Sequence, residues 1–165
     1  MQVILLTHER ELDRPTNTGR LVLEVVGEPV SNRVRRVLWR RKEPDDSLLA
    51  LLKRPRTALL YPASEVQCDG REAGPLRIAE CDTFILLDGT WQEARKMYNR
   101  SPYLHKLPRI ELDTPKPSRF TLRRNQREGC LCTAECIAHL LQAKGLHGAA
   151  RRLETAFDRF LLESP

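Results

Sequence analysis

The stretch Thr83-Phe84-Ile85-Leu86-Leu87-Asp88-Gly89-Thr90-Trp91-Gln92-Glu93-Ala94 passes from an unbroken apolar run to a carboxylate, a glycine, a hydroxyl and an indole. An apolar run without polar alternation predicts a strand covered on both faces, the kind found in parallel sheets flanked by helices. The polar residues fall where that strand gives way to a helix. In open α/β sheets ligands bind outside the carboxyl ends of the strands, so Asp88 and Trp91 stand where a site is expected. Gly89 permits a sharp turn or a close approach to a ligand. Backbone amides at the start of the following helix suit a carboxylate or a phosphate. The competing local account is an Asp88 N-cap with Trp91 packed on the sheet.

Outward from this stretch, short β-rich runs alternate with helical ones, which predicts an α/β fold: a single domain over residues 1–165 with a largely parallel sheet flanked by helices. Strands are expected at residues 3–7, 21–26, 34–39, 57–61 and 83–88, with weaker ones at 109–112 and 120–122. Helices are expected at 46–53, 90–99 and 133–143, the last stopped by Gly145. A final helix at 149–162 carries Leu153, Ala156, Phe157, Phe160 and Leu161 at helical spacing, a stripe that predicts a core-facing side. Pro62 must end the strand before it. Segment 67–75, with Gly70, Gly74 and Pro75, and segment 113–119, with Pro115 and Pro117, are read as connections.

The chain has 165 residues, 41% hydrophobic and 30% charged, with a formal net charge of +6. That length buries a real core, and the positive balance favours a polyanionic partner such as nucleic acid. No apolar run approaches the roughly 18 residues of a membrane span, so no membrane partner is expected. Met1-Gln2-Val3-Ile4-Leu5-Leu6 reads as a first strand rather than a signal peptide. The 5 cysteines include no C-x-x-C pair, and the 4 histidines show no ligand spacing. These features predict no metal and a reducing, cytoplasmic setting.

Three further stretches are candidates for chemistry. Arg14-Pro15-Thr16-Asn17-Thr18-Gly19-Arg20 is read as a polar turn between the first two strands, either an anion-binding loop or a plain turn. Arg119-Phe120-Thr121-Leu122-Arg123-Arg124 leads to Gly129-Cys130-Leu131-Cys132-Thr133-Ala134-Glu135, where Thr133 is suited to cap a helix whose first turn holds Glu135. Basic residues gather at Arg33, Arg35, Arg36, Arg40, Arg41 and Lys42 near Trp39, either a face for a phosphate backbone or a solvated edge strand.

Taken together these stretches resemble the DTW-domain family of tRNA-uridine aminocarboxypropyltransferases. Asp88-Gly89-Thr90-Trp91 matches its D-x-T-W element, and Thr16-Asn17-Thr18-Gly19-Arg20 its T-N-T-G-R element. Leu60-Tyr61-Pro62 resembles its strand-to-proline turn, and Leu131-Cys132-Thr133-Ala134-Glu135 its L-S-T-x-E element, with Cys132 where a serine is commoner. The elements follow the family's order. Longer members carry a cysteine-rich segment ahead of this region, and its metal site is not carried over.

The resemblance implies a SPOUT-like fold with a knotted C-terminal part. It also implies transfer of the 3-amino-3-carboxypropyl group of S-adenosylmethionine to N3 of a uridine in tRNA, releasing 5'-methylthioadenosine. Asp88, Thr90 and Trp91 are then the candidate catalytic residues, Asp88 as general base or else as a binding residue. S-adenosylmethionine would lie among Leu60, Pro62, Leu87, Gly89, Leu131, Cys132 and Thr133, with Asn17, Thr18, Gly19 and Arg20 at its carboxylate. Arg33, Arg36, Arg119, Arg123 and Arg124 are the candidates for RNA phosphates. tRNA is the expected partner, ribosomal RNA the second choice, and a monomer the expected state. The rival readings are a SPOUT-type RNA methyltransferase and a non-catalytic RNA-binding module.

Overall fold

Six consecutive buried residues from Thr83 to Asp88 form the middle of the sheet. The computed structural model describes residues 1–26, 34–62, 77–112, 117–122 and 130–163. Its strands are β1 (Gln2–Thr7), β2 (Val34–Leu38), β3 (Thr57–Leu60), β4 (Thr83–Asp88) and β5 (Arg109–Ile110). They form one 5-stranded sheet in the order β2-β1-β4-β3-β5. Every pairing is parallel, as the continuous apolar runs predict. Register aligns Thr7 with Leu38 on one side and with Asp88 on the other, so these three share the carboxyl edge.

The period of two along each strand sends alternate residues to opposite cores. Val3, Leu5, Phe84 and Leu86 face α1 (Thr18–Val25), α4 (Thr133–Ala143) and α5 (His147–Glu163). Ile4, Leu6, Ile85 and Leu87 face α2 (Asp46–Leu52) and α3 (Trp91–Asn99). On α5 Leu153 and Phe157 of the expected stripe are buried together with Ala149 and Ala150, and Phe160 and Leu161 pack half-buried against the same core. Helix α4 ends as expected at Gly145, whose φ of 74° is the left-handed conformation that glycine adopts without strain. The Gly145 and Leu146 amides return to the Gln142 and Leu141 carbonyls at 2.9 and 2.8 Å.

Two expected strands are corrected. Residues 21–26 belong not to a strand but to α1 and its C-cap. Their leucines and valines favour strands. Yet Thr18, Val22 and Val26 are buried at helical spacing, and the Asn17 side chain caps the first turn. Residues 120–122 form no strand either: Phe120 is a buried loop residue packed beside Phe157, ring centroids 6.3 Å apart. The weak strand at 109–112 shrinks to Arg109–Ile110. Among the described residues no helix is long and apolar enough to cross a membrane.

Truncation of Phe157, 2% exposed, to alanine is expected to cost about 3–5 kcal/mol through cavity formation. Leu162→Ala on the same helix, where the side chain is 87% exposed, should stay within about 0.5 kcal/mol. Urea unfolding of the two variants checks the orientation of α5.

Candidate active site at the carboxyl edge of the sheet

Asp88 ends the central strand with its carboxylate 1% exposed. Such a charge survives burial only when hydrogen bonds replace water. Here Thr7 Oγ1 donates to Oδ2 at 3.0 Å, Thr133 Oγ1 to Oδ1 at 3.0 Å, and Asn17 Nδ2 to both oxygens at 3.2 Å. Arg36 Nη2 lies 3.9 Å from Oδ2. Burial pushes the Asp88 carboxyl above its ordinary range, and the bonds from Asn17, Thr133 and Thr7 together with the Arg36 charge pull against that shift.

The network continues behind Asn17. Its Nδ2 also donates to Glu11 Oε2 at 2.9 Å, while its Oδ1 accepts from the Arg20 amide at 2.7 Å and from Arg36 Nη2 at 3.2 Å. With donors facing two carboxylates and an acceptor facing two donors, the amide has one consistent orientation. Glu11, 1% exposed, pairs with Arg14, which also reaches Glu93 Oε2 at 3.4 Å. Glu93 bonds back to the Thr90 amide and hydroxyl at 2.9 and 2.8 Å, a capping box that starts α3 at Trp91. Burial raises the Glu93 carboxyl, but the Thr90 bonds and Arg14 outweigh it and leave the group below its usual range.

A cavity of about 500 Å³ opens beside this network. Leu60, Pro62, Leu87, Ile110, Phe120 and Leu131 supply apolar walls, and Glu11, Asn17, Thr18, Asp88, Glu111 and Thr133 polar ones. Trp91 lines it while stacking on Tyr61 at 5.7 Å and 14°, and Tyr61 stacks on Tyr98 at 4.6 Å and 11°. Burial pushes the Cys132 thiol up to about 12 and raises Cys136 further, so both line the cavity as small neutral groups rather than thiolates. Among the described residues no group of His, Cys, Asp or Glu is arranged to hold a metal ion.

Four stretches far apart in the sequence thus meet at one carboxylate and one cavity. A family model for the DTW domain matches residues 1–163. The chain belongs to the DTW domain family. It is 34% identical over 146 residues to the tRNA-uridine aminocarboxypropyltransferase 2 of Drosophila melanogaster, covering 85% of this chain and 55% of that protein. It is 28% identical over 103 residues to the protein of that name from Macaca fascicularis, covering 59% of this chain and 32% of that one. The Mus musculus protein of the same name is 32% identical over 104 residues, again covering 59% and 32%. The chain therefore spans about half the length of the first relative and a third of the others. No solved structure is significantly similar to it.

Within this DTW domain the residues singled out in the sequence divide into three groups. Leu60, Pro62, Leu87, Asp88, Gly89, Thr90, Trp91, Leu131, Cys132, Thr133, Asn17 and Thr18 all line the cavity. Gly19 lies against the Asp88 carboxylate without lining the cavity, and exposed Arg20 turns away to Glu24 at 3.4 Å. Segment 14–20 is therefore no turn between strands: its second half is the N-cap and first turn of α1. Arg36 is drawn into the buried network instead of facing solvent, and Arg119 pairs with Asp158 above the Phe157 ring. Arg33, Arg123 and Arg124 lie outside the described residues.

Two capping assignments also change. Thr90, not Asp88, is the N-cap of α3. Cys132, not Thr133, occupies that position at α4, and Glu135 accepts from the Cys132 amide at 2.9 Å. The Thr133 hydroxyl is thereby released to Asp88. Glu11 is absent from the sequence candidates, and Arg14 and Glu93 lie in candidate stretches without being singled out as site residues. The visible signals are the spacing of Glu11, Arg14 and Asn17, three residues apart, and that of Glu93, three residues after Thr90.

Gly19→Ala tests the network with opposed signs. Alanine is the better helix former by about 1 kcal/mol. A Cβ here, however, would lie 2.6 Å from both Asp88 carboxylate oxygens, and Asp88 is held by hydrogen bonds on all sides. The clash should win, with a net loss of about 1–3 kcal/mol on thermal or urea unfolding. A stabilised Gly19→Ala would show that Asp88 is free to move.

Proposed function

We propose that the domain transfers the 3-amino-3-carboxypropyl group from S-adenosylmethionine to N3 of a uridine in tRNA, with release of 5'-methylthioadenosine. The observation that carries this reading is the cavity of about 500 Å³ where every family element converges beside buried Asp88. Membership of the DTW family and the names of the three relatives support the same reaction. We propose a SPOUT-like arrangement with a knotted C-terminal part as well. Its support is the return of the chain to mid-sheet at α4, where Thr133 bonds Asp88 and the Ala134 amide bonds Thr18 Oγ1 at 3.3 Å.

The cavity fits the donor in size and in chemistry. Small-molecule sites commonly enclose about 300–1,000 Å³ with mostly apolar walls. Leu60, Pro62, Leu87 and Leu131 offer such walls for adenine, with Gly89 and Cys132 leaving room. The Glu11 and Glu111 carboxylates suit a molecule that carries a sulfonium and an ammonium. When bound, S-adenosylmethionine would supply a sulfonium that makes its attached carbons electrophilic, the broken C–S bond leaving its electron pair on sulfur in the neutral thioether 5'-methylthioadenosine.

This chain's residues then position the uracil and take its proton. Trp91, seated on Tyr61, offers a flat wall for the base. Thr90 acts through its capping box, which fixes the turn that carries Trp91. The acceptor positions of Asp88 are occupied, so its contact with the base runs through Thr133, whose hydroxyl lines the cavity and already donates to Oδ1. Uracil N3–H would donate to Thr133 Oγ1 while the Thr133 proton passes to Asp88, leaving nitrogen with the electron pair for the new C–N bond. Burial makes Asp88 a stronger base than an ordinary carboxylate, which favours this direction. The four thiols described are free, in keeping with a proposed cytoplasmic setting, and the chain is taken to act as a monomer.

The test is mass spectrometry of nucleosides and small molecules after incubation with S-adenosylmethionine and unmodified tRNA. Aminocarboxypropyluridine with 5'-methylthioadenosine is expected. A methylated nucleoside with S-adenosylhomocysteine would overturn the chemistry in favour of a methyltransferase.

Asp88→Asn should keep donor affinity within a few-fold and slow transfer by about 10²–10⁴; equal losses of both would make Asp88 a binding residue. Thr133→Val should lower kcat without changing donor affinity, and Thr133→Ser should restore it. Since Asp88 must be ionised to act and burial raises its pKa, the acid limb of kcat/KM should lie above the ordinary carboxylate range.

A further inference from the structure

Part of the chain's positive charge is already balanced by its own carboxylates, in the network around Asp88 and on the surface. Arg14, Arg36 and Arg119 each face a carboxylate. Cations without such partners collect elsewhere on the carboxyl edge, around Trp39. Its amide continues the sheet by donating to the Thr7 carbonyl at 2.8 Å. Its ring stacks on His8 with centroids 5.5 Å apart, and its Nε1 donates to buried Ser101 Oγ at 2.9 Å. Three segments are therefore pinned to one indole. They carry Arg10, beside His8; Arg40, Arg41 and Lys42, which follow Trp39; and Arg100, beside Ser101. All five are exposed, and none has an ion-pair or side-chain hydrogen-bond partner among the described residues. Glu9 and Glu43 on the same segments leave an excess of three positive charges.

We infer that this Trp39-centred rim is the surface that grips the phosphate backbone of the RNA substrate. The inference rests on the proposed transfer to tRNA and names the surface on which that substrate docks. Position favours it. His8 donates its amide to the Asp88 carbonyl at 3.0 Å, so the rim and the cavity occupy one edge of the sheet. β2 and β4 are separated by one strand, roughly 10 Å across. That span matches about three nucleotides of a stacked strand, so a nucleotide in the cavity would leave its neighbours over the rim. Rigidity favours it too, because an indole held by ring, amide and Nε1 fixes where the cations begin. A membrane surface fits less well: the large apolar side chains exposed among the described residues are Leu12 and Leu162, not the continuous face that an interfacial helix needs.

The experiment is fluorescence anisotropy of a labelled unmodified tRNA transcript with the full chain between about 50 and 200 mM salt. It compares wild type with Arg40→Glu/Arg41→Glu/Lys42→Glu and with the milder triple alanine variant. Loss of three phosphate contacts should lower the slope of log affinity against log salt by about 2–3. Affinity should fall at least about 10-fold at low salt, with the alanine variant intermediate. S-adenosylmethionine affinity by calorimetry and the melting temperature should stay at wild-type values, since these side chains touch neither cavity nor core. Unchanged tRNA affinity and slope in both variants would overturn the rim while leaving the transfer reaction standing. Wild-type protein that forms no aminocarboxypropyluridine would instead overturn the underlying reading. Wild-type binding to phosphatidylserine vesicles but not to tRNA would replace RNA with a lipid surface.

Discussion

A carboxylate at 1% exposure must be supplied with donors or it will not ionise, and this constraint at Asp88 organises the carboxyl edge of the fold. The donors come from separate elements: Thr7 from β1, Asn17 from the cap of α1, Thr133 from the start of α4, and Arg36 from β2 at longer range. Each donor has a backbone reason to be there. Thr7 is the register partner of Asp88, and Asn17 is held by capping α1. Thr133 is freed because Cys132, whose amide donates to Glu135, holds the N-cap position of α4. The local rules of strand register and helix capping therefore aim their side chains at one point. Gly19 completes the arrangement by having no Cβ where the carboxylate must fit.

Charge balance extends the same constraint. Glu11, Asp88 and Glu93 are three acidic groups within one connected network, with Arg14 and Arg36 as its cations. Removing any one partner leaves a buried charge uncompensated, which is costlier than never having built the pair. Its bonds from Asn17 and Thr133 tie the starts of α1 and α4 to the end of the central strand. The edge of the sheet gains a rigid polar floor, and the apolar walls of the cavity rise from it.

The legible parts of the sequence were those where one signal dominates. β1 and β4 are continuous apolar runs covered on both faces; β4 falls at its expected bounds and β1 begins one residue before its expected start. α5 was equally clear from its spacing. α1 was not, because Leu21-Val22-Leu23-Glu24-Val25-Val26 has the composition of a strand and only the Asn17 cap upstream reveals the helix. Most of the cavity lining was reachable from the family elements, whereas Glu11 was not. A glutamate among exposed neighbours reads as solvated, and its burial depends on bonds from Asn17 and Arg14 that form only once the chain has turned. The arginines illustrate the converse: Arg36 and Arg119 look alike in sequence, yet one is spent on a buried network and the other on a surface pair with Asp158.

The segregation of charge that results bears on how one domain handles two dissimilar ligands. Overall the chain carries +6, yet its cavity is lined by Glu11, Asp88 and Glu111, with the Arg20 and Arg36 guanidiniums turned away. Under the proposed reading this division is functional. A cationic donor molecule is drawn to an acidic hole that a polyanion does not favour, while RNA is drawn to basic side chains on the rim outside it. Had the arginines of the network faced the cavity, phosphate would compete for the space that the donor needs. Binding Arg36 to Asn17 and Asp88 prevents this, so the interaction that builds the fold at this edge also keeps the two ligands apart.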